Sequence, residues 1–90
     1  MIDLTKYSIQ ELAALVVLDW KRVDPHAGEY LMALLHVRNI GDKYFLDDVD
    51  DIVSRFLINA GGWHGEMART VKFELKRRLK EYQKAKKIER

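Results

Sequence analysis

The stretch Ser8-Ile9-Gln10-Glu11-Leu12-Ala13-Ala14-Leu15-Val16-Val17-Leu18-Asp19-Trp20 announces a helix at its first residue. Ser8 and Glu11 stand in the S-x-x-E spacing of a capping box, in which the Ser hydroxyl and the Glu carboxylate each satisfy an otherwise unpaired backbone N–H. Tyr7 and Leu12 take the two positions of a hydrophobic staple across that cap. Ile9, Leu12, Ala13, Val16, Trp20 and Val23 then recur at helical spacing along one face. Leu15, Val17 and Leu18 fall outside that stripe, so the middle of the helix is apolar nearly all round. Such a helix must be covered on every side, and a chain of 90 residues is too small to encircle it. The pattern therefore predicts contact with another subunit, making the protein a homo-oligomer.

Working outward, Asp24-Pro25 supplies an N-cap followed by proline at the first helical position of a second helix. That helix is expected to run to about Asn39, with Gly41 beyond its end. Tyr30, Leu31, Met32, Leu34, Leu35 and Val37 cover most of its circumference, which strengthens the expectation of self-association. A third helix is expected over about 46–60, with the stripe Leu46, Val49, Val53, Phe56, Leu57 and Ala60. The last begins near Trp63 and passes Tyr82, carrying Met67, Ala68, Val71, Leu75, Leu79 and Tyr82 inward, with residues 84–90 fraying as a basic tail. No alternating strand pattern or internal repeat is present. The fold expected is all-α: a single domain over 1–90, a compact bundle of about four helices.

Composition narrows the function classes. The chain has no cysteine, which excludes disulfides and thiolate metal sites, and no apolar run long enough to span a membrane. Met1-Ile2-Asp3-Leu4 has neither a basic n-region nor an apolar h-region, so the expected location is the cytoplasm. The net charge of +2 hides an asymmetry: residues 1–68 carry six Lys/Arg against eleven Asp/Glu, whereas residues 69–90 carry ten against three. A basic segment of that density attracts phosphate or the acidic face of a neighbouring subunit, or is simply a solvated helix face.

No arrangement argues for catalysis, a metal or a cofactor. Asp47-Asp48-Val49-Asp50-Asp51 matches the DDxxD pattern of prenyl-transferring enzymes, but those need a helical barrel larger than this chain. The simpler reading is acidic residues that offset a helix dipole, with Asp51 and Arg55 as an i,i+4 pair. His26, His36 and His64 lack ligand spacing. Ser8 and Ser54 have no neighbouring base. On the last helix, Phe73 projects about 160° from Leu75 at ~100° per residue, among Arg69, Thr70, Lys76, Arg77 and Lys80. A ring there could stack a base or pack on a neighbour. Gly61, Gly62 and Gly65 crowd the start of that helix, where N–H groups can meet anions. Tyr7 and the pair Lys21–Arg22 lie at opposite ends of the first helix, about 20 Å apart at ~1.5 Å per residue, and could meet only between two antiparallel protomers.

Several phrases together resemble a family of small helical phage proteins: Leu18-Asp19-Trp20-Lys21, Tyr30-Leu31-Met32-Ala33, Asp42-Lys43-Tyr44, Phe56-Leu57-Ile58-Asn59-Ala60, Trp63-His64-Gly65-Glu66, and Ala68-Arg69-Thr70-Val71-Lys72-Phe73-Glu74-Leu75. The family is that of the anti-CBASS cyclic-nucleotide sponges. The resemblance implies a hexamer of helical bundles that sequesters bacterial second messengers without cleaving them. It implies two kinds of pocket. In one, Tyr7 stacks on a base of a cyclic dinucleotide while Lys21 or Arg22 holds phosphate. In the other, Arg69, Thr70 and the Trp63–Gly65 turn, including His64, meet a cyclic trinucleotide. The sequence departs from the family at His64, where an Arg is expected; a histidine is mostly neutral at pH 7 and holds phosphate less well. The competing expectation is a nucleic-acid-binding or regulatory helical protein that lays its basic last helix on a phosphate backbone.

Overall fold

The computed structural model describes residues 3–88; Met1 and Ile2, on which the leader reading partly rests, and Glu89 and Arg90 of the tail lie outside the described residues. Asp3 caps a 3-10 turn, Leu4–Lys6, by accepting from the Thr5 N–H at 3.0 Å. The predicted capping box then closes: Ser8 Oγ accepts from the Glu11 N–H at 3.1 Å and Glu11 Oε1 accepts from the Ser8 N–H at 2.8 Å. It starts helix α1, Ile9–Asp19. Asp24 caps α2, Pro25–Leu34, through the His26 N–H at 2.8 Å. Helices α3, Val49–Asn59, and α4, Glu66–Ile88, complete the bundle. The helix α4 backbone continues past residue 84, where fraying was expected, as far as Ile88.

The core follows most of the stripes read from the sequence and adds Ile52 of α3. Ile9, Leu12, Ala13 and Val16 of α1 meet Ala27, Leu31 and Leu34 of α2, Val49, Val53 and Phe56 of α3, and Ala68, Val71, Leu75 and Leu79 of α4. The apolar surplus beyond those stripes is covered only in part: Val37 is buried, and Leu15, Tyr30 and Leu35 pack half-buried against the core. Val17, Leu18 and Met32 stay exposed.

Three boundaries differ from expectation. Helix α2 ends five residues early, at Leu34 rather than Asn39, because the N–H groups of Arg38 and Asn39 are taken by the Asp42 carboxylate, at 3.2 and 2.9 Å. A side chain that captures backbone N–H groups offers the chain an alternative to the helix. The Arg38 carbonyl in turn accepts from the Ile9 N–H at 2.8 Å, tying this segment to the start of α1.

The fold is also not purely helical. Residues 43–48, the last three of which were expected to begin the third helix, form a two-stranded antiparallel hairpin, β1 Lys43–Tyr44 and β2 Asp47–Asp48, with Lys43 opposite Asp48 and Tyr44 opposite Asp47. Its turn is Phe45-Leu46, and Phe45 has φ 58°. A positive φ at the first turn position alone is the II′ pattern, which glycine favours. Leu46, assigned by its spacing to the buried stripe of α3, is instead 93% exposed at the hairpin tip.

Finally, α4 starts at Glu66 rather than Trp63. Trp63 is held in the bend before it, and Gly65 adopts φ +105° to turn the chain into the helix.

Candidate functional site

Two corners of the bundle bring an aromatic ring together with cations. At the first, Tyr7 sits half-buried between the 3-10 turn and α1, at the edge of a hollow of about 440 Å³ that Lys6, Ser8, Arg38, Asn39 and Arg78 also line. The volume lies in the ~300–1,000 Å³ range of small-ligand sites.

The electrostatics of this hollow follow from what each charge is already doing. Arg78 is spent on structure: it pairs with Glu74 and donates to the Leu4 carbonyl at 2.9 Å, fastening the 3-10 turn to α4. Glu74 is buried, and Arg77 holds it as well, at 2.7 Å. The hydrogen bond from Arg77, followed by those contributed by Arg78, keeps the Glu74 carboxyl below its ordinary range despite burial. Glu11 is occupied by the Ser8 N–H, which lowers its carboxyl in the same way, with a smaller contribution from the Arg38 charge. Arg38 and Lys6 form no ion pair among the described residues. The hollow therefore offers a phenol ring, two uncommitted cations and the Asn39 side-chain amide.

At the second corner, every group is committed. Trp63 is 2% exposed. Its indole N–H donates to Asp19 at 2.8 Å, its carbonyl accepts from Lys72 at 2.7 Å, and its ring stacks on Trp20 with centroids 6.0 Å apart. The Lys72 ammonium also lies over the Trp63 ring, 5.8 Å from its centroid. Burial, with a lesser contribution from the Lys76 charge, lowers the Lys72 pKa below the usual lysine value. This corner closes the loop between α3 and α4 and leaves no ligand-facing donor on Trp63.

The residues proposed from the sequence separate accordingly. Tyr7 lines the first hollow, but with Lys6 and Arg38 rather than with Lys21 or Arg22. Those two are exposed in the turn after α1, at the far end of that helix. His64, Arg69 and Thr70 are exposed near the start of α4. The Thr70 hydroxyl donates to the Glu66 carbonyl at 2.9 Å, within its own helix. None of the three lines the Tyr7 hollow.

Lys6, Arg38, Asn39 and Arg78 are the partners that sequence reasoning missed. A signal for Arg78 existed, since it sits three residues after Leu75 beside the inward stripe, with Glu74 four residues before it. Nothing local marked Arg38, which fell inside a segment expected to be helical.

A second hollow, of about 420 Å³, lies between α2, the hairpin and α3, lined by Glu29, Tyr30, Tyr44, Asp47, Asp51 and Arg55. Asp51 and Arg55 line it without forming the expected ion pair among the described residues. The Asp47–Asp51 run is split between β2 and α3, and Asp48, at the α3 N-cap, makes no side-chain capping bond and pairs instead with Lys43 at 3.3 Å. Among the described residues no group of three His, Asp or Glu side chains is placed to hold a metal ion. Among the described residues no helix is long and apolar enough to cross a membrane. A scan against protein-family models and searches of curated proteins and solved structures find no match to this chain.

Proposed function

We propose that this chain is a non-catalytic binding protein that sequesters cyclic oligonucleotide second messengers, as a phage-encoded means of evading immunity in the cytoplasm of an infected bacterium. The observation that carries the reading is the Tyr7 hollow, where a ring suited to base stacking stands beside Lys6 and Arg38, cations free to hold phosphate. The ligand class comes from the resemblance of the stretch from Tyr30 to Leu79, with the phrase Leu18-Asp19-Trp20-Lys21, to the sponge family. In this reading Tyr7 stacks on one base, Arg38 and Lys6 hold phosphate, and the rest of a cyclic dinucleotide extends over a second protomer. Lys21 and Arg22 then act only from that neighbouring copy. The trinucleotide site falls to His64, Arg69 and Thr70 where protomers meet, in an assembly expected to be a hexamer. Ring stacking and charge hold a nucleotide without attacking it, and the Ser8 hydroxyl at the hollow is engaged by the Glu11 N–H.

The test is a thermal-shift and calorimetric screen against cyclic di- and trinucleotides, with the ligand recovered by chromatography after denaturation. A ligand at 100 times its Kd adds about 2.7 kcal/mol to stability, and it should return intact. Absence of any shift, or a linear product, overturns the reading.

A second reading is favoured by one observation. Lys80, Lys84 and Lys87 line one exposed stretch of α4 together with Gln83, a spacing that lays three cations along a helix side as a phosphate backbone would need. It predicts DNA or RNA binding that weakens steeply with salt, whereas a stacked small ligand loses much less.

A further inference from the structure

The hairpin tip and the outer face of α4 present opposite chemistry. At the tip, Phe45 and Leu46 are 83% and 93% exposed. Phe45 holds a positive φ that costs any side chain other than glycine or asparagine energy, so the turn maintains a strained backbone while displaying a large ring to solvent. The surroundings are acidic. Lys43, the cation of the hairpin, is neutralised by Asp48 at 3.3 Å, leaving Asp47 and Asp51 exposed. On α4, Phe73 is 72% exposed, one turn from Arg69 and Lys76 and two from Lys80. None of these three cations forms an ion pair among the described residues, whereas Arg77 is occupied by Glu74 and Glu81. One surface is an apolar knob rimmed by carboxylates; the other is an aromatic patch rimmed by ammonium and guanidinium groups.

The two cannot meet within one protomer. Tyr82 packs toward the base of the hairpin, its ring 3.2 Å from where a Cβ on Gly41 would stand. Phe73 precedes Tyr82 by nine residues, about two and a half turns at ~3.6 residues per turn, which places it on the opposite side of α4. Phe45, Leu46 and Phe73 all stay exposed, so neither surface covers the other within the protomer.

We infer that the Phe45–Leu46 tip of one copy docks on the Phe73 face of α4 in the next, a head-to-tail contact between copies of this chain in which Asp47 and Asp51 meet Arg69, Lys76 and Lys80. The inference rests on the self-association in the reading above and names its surface. A contact between two different patches is heterologous, so it propagates from copy to copy and closes into a ring only if the rotation allows. The acidic rim selects a basic protein surface over anionic lipid, which it repels.

Complementation tests it. A knob variant, Phe45→Gly with Leu46→Ser, keeps the turn because glycine suits the positive φ; a patch variant is Phe73→Ser. In light scattering at micromolar concentration the wild type is expected to be oligomeric, with a mass that falls as salt rises. Each variant alone is expected to be a monomer that still unfolds cooperatively, losing only the stability that association contributed, its self-association weakened at least about tenfold. Mixed, they should form a 1:1 dimer through the single intact knob and single intact patch. Asp47→Lys with Asp51→Lys should dissociate the assembly, and adding Arg69→Glu with Lys76→Glu to the same chain should restore it. A wild-type monomer overturns the self-association and this contact together. An oligomeric wild type whose variants keep its mass, or a mixture that stays monomeric, overturns this contact alone. A monomer that binds phosphatidylserine vesicles through the tip assigns the knob to a lipid surface and overturns it too. Cyclic dinucleotide binding by the oligomeric wild type tests the Tyr7 hollow independently of this contact.

Discussion

The Tyr7 and Trp63 corners are built from the same ingredients, an aromatic ring, a cation and the end of a helix, yet they behave differently. At Trp63 the indole N–H, the main-chain carbonyl and the ammonium of Lys72 all find partners inside the protein. At Tyr7 the carboxylates are consumed, by Ser8 in one case and by Arg77 and Arg78 in the other, while Arg38 and Lys6 are left over. Whether an aromatic next to cations is a structural lock or a receptor depends on which polar groups remain unspent once the fold has taken its share.

The largest effect should come from breaking the lock. Trp63→Ala removes a fully buried ring together with its bond to Asp19, and large-to-small core changes of this kind cost about 3–5 kcal/mol. Urea titration should show a midpoint near the limit of folding. A loss below ~1 kcal/mol would show that the two corners are not different after all.

Next is Glu74→Gln, which leaves Arg77 and Arg78 without their shared carboxylate in a buried position and should cost about 2–3 kcal/mol. The acid limb tests the same group. The folded carboxyl is held below its ordinary value of 4.5, so the unfolded chain takes up protons first. The stabilisation is therefore complete above that value and lost as pH falls through it toward the lowered folded value. Melting temperature against pH should fall in that window for the wild type and more gently for Glu74→Gln.

At the receptor corner the effect should move from stability to ligand. Base–aromatic stacking is worth about 1–3 kcal/mol, so Tyr7→Ala should weaken cyclic dinucleotide binding by roughly one to two powers of ten. The capping box beside it stays intact, and the melting temperature should drop little. An unchanged affinity in a folded Tyr7→Ala protein removes the hollow from the site.

Smaller still is the division among cations. Arg38→Ala should weaken the same ligand about tenfold through the loss of one charge-assisted contact, and Lys21→Ala by less. Equal losses would mean that the neighbouring copy's Lys21 holds phosphate as firmly as Arg38 does. Arg69→Ala should leave dinucleotide affinity unchanged and shift stability by no more than about 0.5 kcal/mol, as expected of an exposed substitution.

Local interactions account for most of what could be read directly. The capping box at Ser8 and Glu11, the Asp24 cap and the inward stripe of α4 each depend on residues within four positions of one another, and each is found as expected. The prediction that Phe73 points outward also needed only the helical repeat. These features gave four helices and their buried faces before any packing was considered.

Only the tertiary structure decided where α4 starts and which cations face Tyr7. The end of helix α2 is a local event that apolar periodicity does not register: Asp42 captures the N–H groups of Arg38 and Asn39, four and three residues before it. Leu46 left the α3 stripe because residues 43–48 pair as a hairpin, and Trp63 left α4 because Asp19 and Lys72 hold it in the bend. Tyr7 and Arg38 are brought together by the bond between Ile9 and the Arg38 carbonyl, and Arg78 reaches the same corner from the opposite end of the chain. Periodicity reports a residue's angle around its own helix. It carries no information on the angle between helices or the path of a loop, and those set contacts between residues far apart in the chain.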